Sequence, residues 1–270
     1  MMIGFYTVAD DTDGILKVMR SYQYYAASGI SEKVSKTDWT VKNNKGGYIW
    51  HTTGSGKTMT SFKSAQLIAN SRDADKVIFL MDRIELGTQS LLEYRGFADE
   101  NEDVQATENT SVLITKLKSD DPANTLIVTS IQKMSNIKAE GDLKEKDIQI
   151  MNSKRIVFIV DECHRSTFGD MLTTIKDTFS SAIFFGFTGT PIQDENQKKL
   201  NTTATVFGDE IHRYSIADGI RDKNVLGFDP YKVLTYSDND LRKAIGLEQS
   251  KASSVEDALA DPIKAAIFNR

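Results

Sequence analysis

The chain has 270 residues, 40% of them hydrophobic, with 33 basic against 38 acidic side chains and a formal net charge of −5. That composition supplies a sizeable core and excludes disordered, fibrous and broadly basic proteins, although nucleic acid can still be gripped through loops and helix N-termini. No apolar run approaches a bilayer span, no basic-then-apolar export signal opens the chain, and the single cysteine, Cys163, forbids an internal disulfide; together these predict a cytoplasmic protein away from membranes.

Residues 1–14 read as a boundary segment with acidic residues at Asp10, Asp11 and Asp13. Residues 15–27 carry apolar side chains at helical spacing, which predicts a helix ending near Gly29, with a loop over 31–45. Arg20 and Gln23 lie in that helix. Gln23 is either a purine contact, being both donor and acceptor, or a surface polar residue.

Tyr48-Ile49-Trp50 is a short apolar strand that runs into His51-Thr52-Thr53-Gly54-Ser55-Gly56-Lys57-Thr58 and then a helical pattern. Gly54 and Gly56 permit backbone angles that turn consecutive N–H groups inward around an anion, and the helix N-terminus adds donors and partial positive charge. Thr53, Ser55, Lys57 and Thr58 complete a loop for a nucleoside triphosphate: Lys57 reaches the outer phosphates and the Thr58 hydroxyl ligates magnesium. His51 stands where such loops usually begin with glycine.

A helix is predicted over 59–69, a strand over 76–81, and a second helix from Asp82. Residues 99–103 are charged, and a helix follows over about 109–118. Strands at 125–131, 155–160 and 182–187 alternate with a charged loop at 138–146 and a helix at 168–179. Beyond Val206 come a strand-like piece, a helix at 216–221 and strand-like residues 228–236; the remainder is polar with weak helical periodicity. Continuous apolar runs alternating with helices predict an α/β fold in which a parallel sheet carries helices on both faces. Right-handed crossovers then bring every strand's C-terminal end, and every motif loop, to one edge.

Asp161-Glu162-Cys163-His164 follows one of these strands. A strand-end carboxylate facing a phosphate loop is what a magnesium–triphosphate site requires, so Asp161 is expected to hold the ion, mostly through water. Glu162 is expected to orient and deprotonate the attacking water, and His164 to link this site to the next loop. Cys163 reads as a small buried filler. Thr188-Gly189-Thr190 places hydroxyls at a strand end, where they can sense hydrolysis. Asp82-Arg83 and Thr129-Ser130-Ile131-Gln132-Lys133 suit contacts to a nucleic-acid backbone. Helix capping by Asp82 or Ser130 explains the same residues equally well.

In this order the motifs resemble the first RecA-like domain of a superfamily 2 helicase or translocase, a P-loop NTPase domain, over about residues 15–230. Finer matches resemble the motor (R) subunit of type I restriction enzymes: residues 46–58, Asp82-Arg83 with Leu86 and Gln89, 131–134, 161–166, 187–192 and 207–216. The last, Phe-Gly-Asp-Glu-Ile-His-Arg-Tyr-Ser-Ile, discriminates best; where Cys163 stands, that family usually has alanine. The resemblance implies ATP and Mg2+ as cofactors, Gln23 on adenine with Arg20 supporting it, and duplex DNA pumped before cleavage by a separate nuclease domain. It also implies modification and specificity subunits as partners, with residues 231–270 a linker at the start of a truncated second motor domain. A type III restriction subunit, a repair helicase or a non-hydrolysing ATP-gated scaffold are the alternatives; Glu162 argues against the scaffold. Arginines from a second motor domain would contribute about 10³–10⁵ in rate. The 270-residue chain alone is therefore expected to bind ATP–magnesium, hydrolyse it poorly and not translocate; robust DNA-stimulated turnover in a phosphate-release assay would overturn this.

Overall fold

The structure, a computed structural model, describes residues 6–10, 15–81, 105–106, 110–138, 145–161, 163, 168–192 and 202–227. Two compact units divide the chain, Met1–Leu226 and Gly227–Arg270, and the first contains the sheet with the helices packed on it.

Its centre is a seven-stranded sheet: β3 (Gly47–His51), β4 (Lys76–Met81), β5 (Gln105–Ala106), β6 (Leu126–Ser130), β7 (Ile156–Val160), β8 (Ile183–Thr188) and β9 (Glu210–Tyr214). The strand order is β5-β6-β4-β7-β8-β3-β9, and every pairing is parallel. Successive residues of each strand face opposite sides, so a strand covered on both sides must be apolar throughout. Phe79, Ile159, Phe185 and Phe187 enter one core with Ile30 of helix α1 (Ser21–Ser35) and Phe62 of α2 (Lys57–Ser71). Ile78, Phe158, Val160 and Phe184 enter the other with Leu113 of α3 (Thr110–Lys118), Met134 of α4 (Ile131–Ser135) and Met151 of α5 (Glu145–Asn152). Ile175 of α6 (Phe168–Thr178) and Phe207 of α7 (Thr203–Phe207) complete that face. The expected parallel sheet with helices on both faces is the observed one.

Local departures have identifiable causes. The predicted helix over 15–27 is two elements: Ile15–Val18 is strand β2, paired antiparallel with Thr7–Asp10 (β1), and the helix starts at Ser21. Pairing with a partner strand overrides the helical spacing of Ile15 and Leu16, whose side chains are exposed. The helix also passes through Gly29 and runs to Ser35, taking residues 31–35 out of the predicted loop. Gly29 is there for closeness, since a Cβ would stand 2.7 Å from Ile211 Cγ2 of β9. Ile131 opens α4 rather than ending its strand, and α5 begins at Glu145 inside the predicted charged loop. Helix α7 has no counterpart among the predicted elements, whereas α8 (Ile216–Arg221) lies where expected. The predictions over 82–104 and 228–270 fall outside the described residues.

The paired glycines before the phosphate loop are explained by backbone contact. A Cβ on Gly46 would stand 2.2 Å from the carbonyl oxygen of Phe184, and Gly47 holds φ +150° with Ile211 against it. Backbone oxygens cannot swing aside as side-chain ends do, so Gly46→Ala is expected to cost about 1–3 kcal/mol, read as a lower urea midpoint at unchanged slope.

Candidate functional site

Strand β3 delivers the phosphate loop at the carboxyl edge of the sheet and α2 leaves from it. Ser55 N–H donates to the Thr52 carbonyl at 3.3 Å, and its hydroxyl donates to the same oxygen at 2.6 Å, closing the turn. Gly54 and Gly56 hold φ of 78° and 76°, the left-handed region that glycine enters without strain. Among the described residues a Cβ on Gly54 would meet nothing within 4 Å, so the space beside it is open. Thr53, Gly54 and Gly56 are exposed there, Thr58 is half-buried, and Lys57 is buried.

The loop's orientation is imposed by α1. The Tyr22 hydroxyl donates to the Ser55 carbonyl at 2.7 Å, and Gln23 Nε2 donates to the carbonyls of Ser55 at 3.1 Å and Gly56 at 3.3 Å. In a trans peptide the C=O and the next N–H point in opposite directions. Pulling those two carbonyls toward α1 turns the Gly56 and Lys57 amides away from it, the arrangement that cradles an anion. Gly56 has no room for more, because a Cβ would stand 2.6 Å from Gln23 Nε2. The Oε1 of Gln23 accepts the Arg20 N–H at 2.9 Å, and the side chain is buried rather than on the surface. Burial raises the Tyr22 phenol above its ordinary value, with the Arg20 guanidinium opposing the shift.

The strand-end motifs converge on the loop. Trp50 pairs with Thr188 across β3 and β8, and its indole N–H donates to the Gly189 carbonyl at 3.1 Å. A Cβ on Gly189 would sit 3.4 Å from Lys57 Nζ, Thr53 Oγ1 and the His51 carbonyl alike, so Thr188-Gly189-Thr190 lies against the phosphate loop. Asp161 directly follows β7, one strand beyond β8, which puts it about 10 Å from β3 at the same edge. Its N–H donates to Leu80, and Cys163 is buried with its sulfur against Gly186, the filler role expected of it.

Thr129 and Ser130 end β6 on this edge too, but β4, β7 and β8 separate them from β3, so they lie away from the phosphate loop. Ser130 caps α4 by accepting the Lys133 N–H at 3.3 Å; Gln132 is exposed and Lys133 half-buried. Asp82, Arg83, Glu162 and His164 fall outside the described residues.

Three residues at the loop have no role assigned from sequence: Tyr22, His212 and Tyr214. Tyr22 and Tyr214 stack with centroids 3.7 Å apart and planes 7° apart, and Tyr214's carbonyl accepts the Thr52 N–H at 2.9 Å. His212 Nδ1 lies 3.0 Å from His51 Nε2. The discriminating 207–216 stretch holds His212 and Tyr214 without stating their use, and Tyr22 stands between Arg20 and Gln23 with no signal of its own.

The likeness to known proteins agrees with this geometry. The chain matches the SWI2/SNF2 ATPase family over residues 22–260. It is 44% identical over 257 residues to a type I restriction enzyme endonuclease subunit of Staphylococcus aureus (strain COL), covering 92% of this chain and 26% of that protein. The C-terminal part of a putative type I restriction enzyme endonuclease subunit from Mycoplasma pneumoniae is also 44% identical, over 61% of this chain and 80% of its own length. The fold is similar to a nuclease-deletion mutant of the Type ISP restriction-modification enzyme LlaGI in complex with a DNA substrate mimic. That likeness has a TM-score of 0.56 and 16% identity, over 85% of this chain and 22% of the other. The chain thus spans about a quarter of the length of its staphylococcal relative.

His51 is fully buried, and burial, then His212 and Lys57, push its pKa down from 6.5 to about 3. The unfolded chain binds that proton below about 6.5 while the folded form refuses it until about 3. Stability is therefore flat in this term above 6.5 and falls as pH drops toward 3. In urea titrations across that window, His51→Gly is expected to lose stability less steeply than the parent.

Proposed function

We infer the function from the premise that this chain belongs to the SWI2/SNF2 ATPase family and to the endonuclease (R) subunits of type I restriction enzymes: it is the ATP-binding motor domain of the DNA-translocating subunit. The observation that carries this reading is the set of the loop: the Ser55 and Gly56 carbonyls are bonded to α1, Gly54 is exposed, and Lys57 Nζ lies beside Gly189. Amides turned away from α1 at a helix N-terminus, with a lysine beside them, suit a triphosphate.

In this reading Lys57 binds the outer phosphates, and adenine lies against Arg20 and Gln23, whose Oε1 keeps one lone pair beyond its bond from Arg20. Thr58, through its hydroxyl, and Asp161, mostly through water, are the residues that would hold magnesium, an ion that offsets the negative charge of the transferring phosphoryl group. Glu162 takes a proton from the water that attacks the terminal phosphorus, and the leaving diphosphate is held by the loop. His164 joins this carboxylate pair to Thr188-Gly189-Thr190, which reports the phosphate's departure. Asp82, Arg83, Thr129, Ser130, Gln132 and Lys133 contact the backbone of duplex DNA. In the longer subunit the motor draws DNA past a complex with modification and specificity subunits before a separate nuclease domain cuts. That assembly works in the cytoplasm; among the described residues no helix is long and apolar enough to cross a membrane.

Lys57→Ala is expected to weaken binding of a fluorescent ATP analogue with magnesium by about tenfold or more, since it removes a charge-assisted phosphate contact. In the full-length subunit, Glu162→Gln is expected to keep that binding while abolishing DNA-stimulated phosphate release. Retained turnover would place the base elsewhere.

A further inference from the structure

Strand β9 is tied to the phosphate loop more closely than sheet pairing requires. Its Ile211 packs into the space left by Gly29 and Gly47, and its register sets His212 beside Ile49 and Tyr214 beside His51. From there two side chains reach the loop. Tyr214 stacks on Tyr22, which holds the Ser55 carbonyl. His212 meets the ring of His51, the loop's first residue, whose centroid also lies 5.4 Å from Tyr22 in an edge-on contact.

The His51–His212 contact has a definite sense. Among the described residues His51 Nδ1, which is buried, has no hydrogen-bond partner. A neutral imidazole carries its proton on one nitrogen only. Were that proton on Nδ1, a buried N–H would stand orphaned, the rarer and costlier arrangement; a bare lone pair is tolerated better. The proton therefore belongs on His51 Nε2, which donates to His212 Nδ1. A proton added at His212 Nδ1 would put two N–H groups face to face, so the pair functions uncharged.

We propose that His212 is a positioning residue for nucleotide binding: by accepting the His51 Nε2–H it holds the ring beneath the phosphate loop and keeps the Ser55-Gly56-Lys57 backbone in its anion-cradling form. The bulky His51, at the place of a glycine, is then tolerated because β9 supplies its partner. This inference rests on the nucleotide-binding reading above. It adds that the edge strand, outside the loop itself, sets the loop's affinity.

The test uses the 270-residue chain, a fluorescent ATP analogue with magnesium, and 15N–1H spectra of the imidazoles; three histidines in the chain keep assignment simple. His212→Leu is expected to lower affinity about tenfold, the scale of a displaced binding group. His212→Asn, which keeps an acceptor where Nδ1 stood, is expected to restore affinity to within about threefold of the parent. In the parent, His51 is expected to show the Nε2–H neutral tautomer, lost only in the leucine variant. A parent chain that fails to bind the analogue would sink the nucleotide reading itself. A parent that binds, with leucine binding equally well, or asparagine as weak as leucine at equal thermal midpoint, would overturn the role of His212. The Nδ1–H tautomer in the parent would do the same.

Discussion

The candidate site depends on one constraint: the carbonyls of Ser55 and Gly56 are drawn toward α1 by Tyr22 and Gln23. A glycine-rich loop has many conformations of similar energy, and glycine loses more backbone freedom on ordering than any other residue. Hydrogen bonds from two buried side chains of that helix remove that freedom before any ligand arrives. Because the two ends of each peptide unit point opposite ways, fixing the oxygens also aims the amides. For a loop organised in this way, binding an anion would leave less reorganisation to do.

Everything around that constraint stems from a parallel sheet with both faces covered. All seven strands point the same way, so the loops after β3, β7 and β8 emerge on one edge. Lys57 and Asp161, more than a hundred positions apart, follow strands β3 and β7, which lie a single strand apart in the sheet. The middle strand contributes as well: the loop after β8 accepts the Trp50 indole N–H and runs beside the Lys57 ammonium.

The edge strand β9 gives the loop its second support. It lies beyond β3, yet it carries His212 and Tyr214 to the far side of the loop from Thr188-Gly189-Thr190. Tyr214 is anchored in turn, its hydroxyl donating to Asp222 at 3.1 Å and accepting from Asn224 at 2.7 Å. The phosphate loop is thereby held from three directions, by α1, β8 and β9.

Much of this was legible without coordinates. Apolar runs four to six residues long, set between amphipathic segments, announce buried parallel strands, and Gly-Ser-Gly-Lys-Thr after such a run has few other readings, because both are local patterns dictated by backbone geometry. The order of motifs, from Lys57 through Asp161 to Thr188, likewise lies in the chain itself, and with it the family. What tertiary structure alone decided was which side chains the loop leans on. Nothing local distinguishes Tyr22 from a core tyrosine, or gives His51 a partner 161 positions away, since such contacts depend on strand order and register rather than on sequence spacing. The same holds for Ile15–Val18, whose helical periodicity yields to a paired strand, and for Gly29, which looks like a helix stop and is instead the gap into which Ile211 fits.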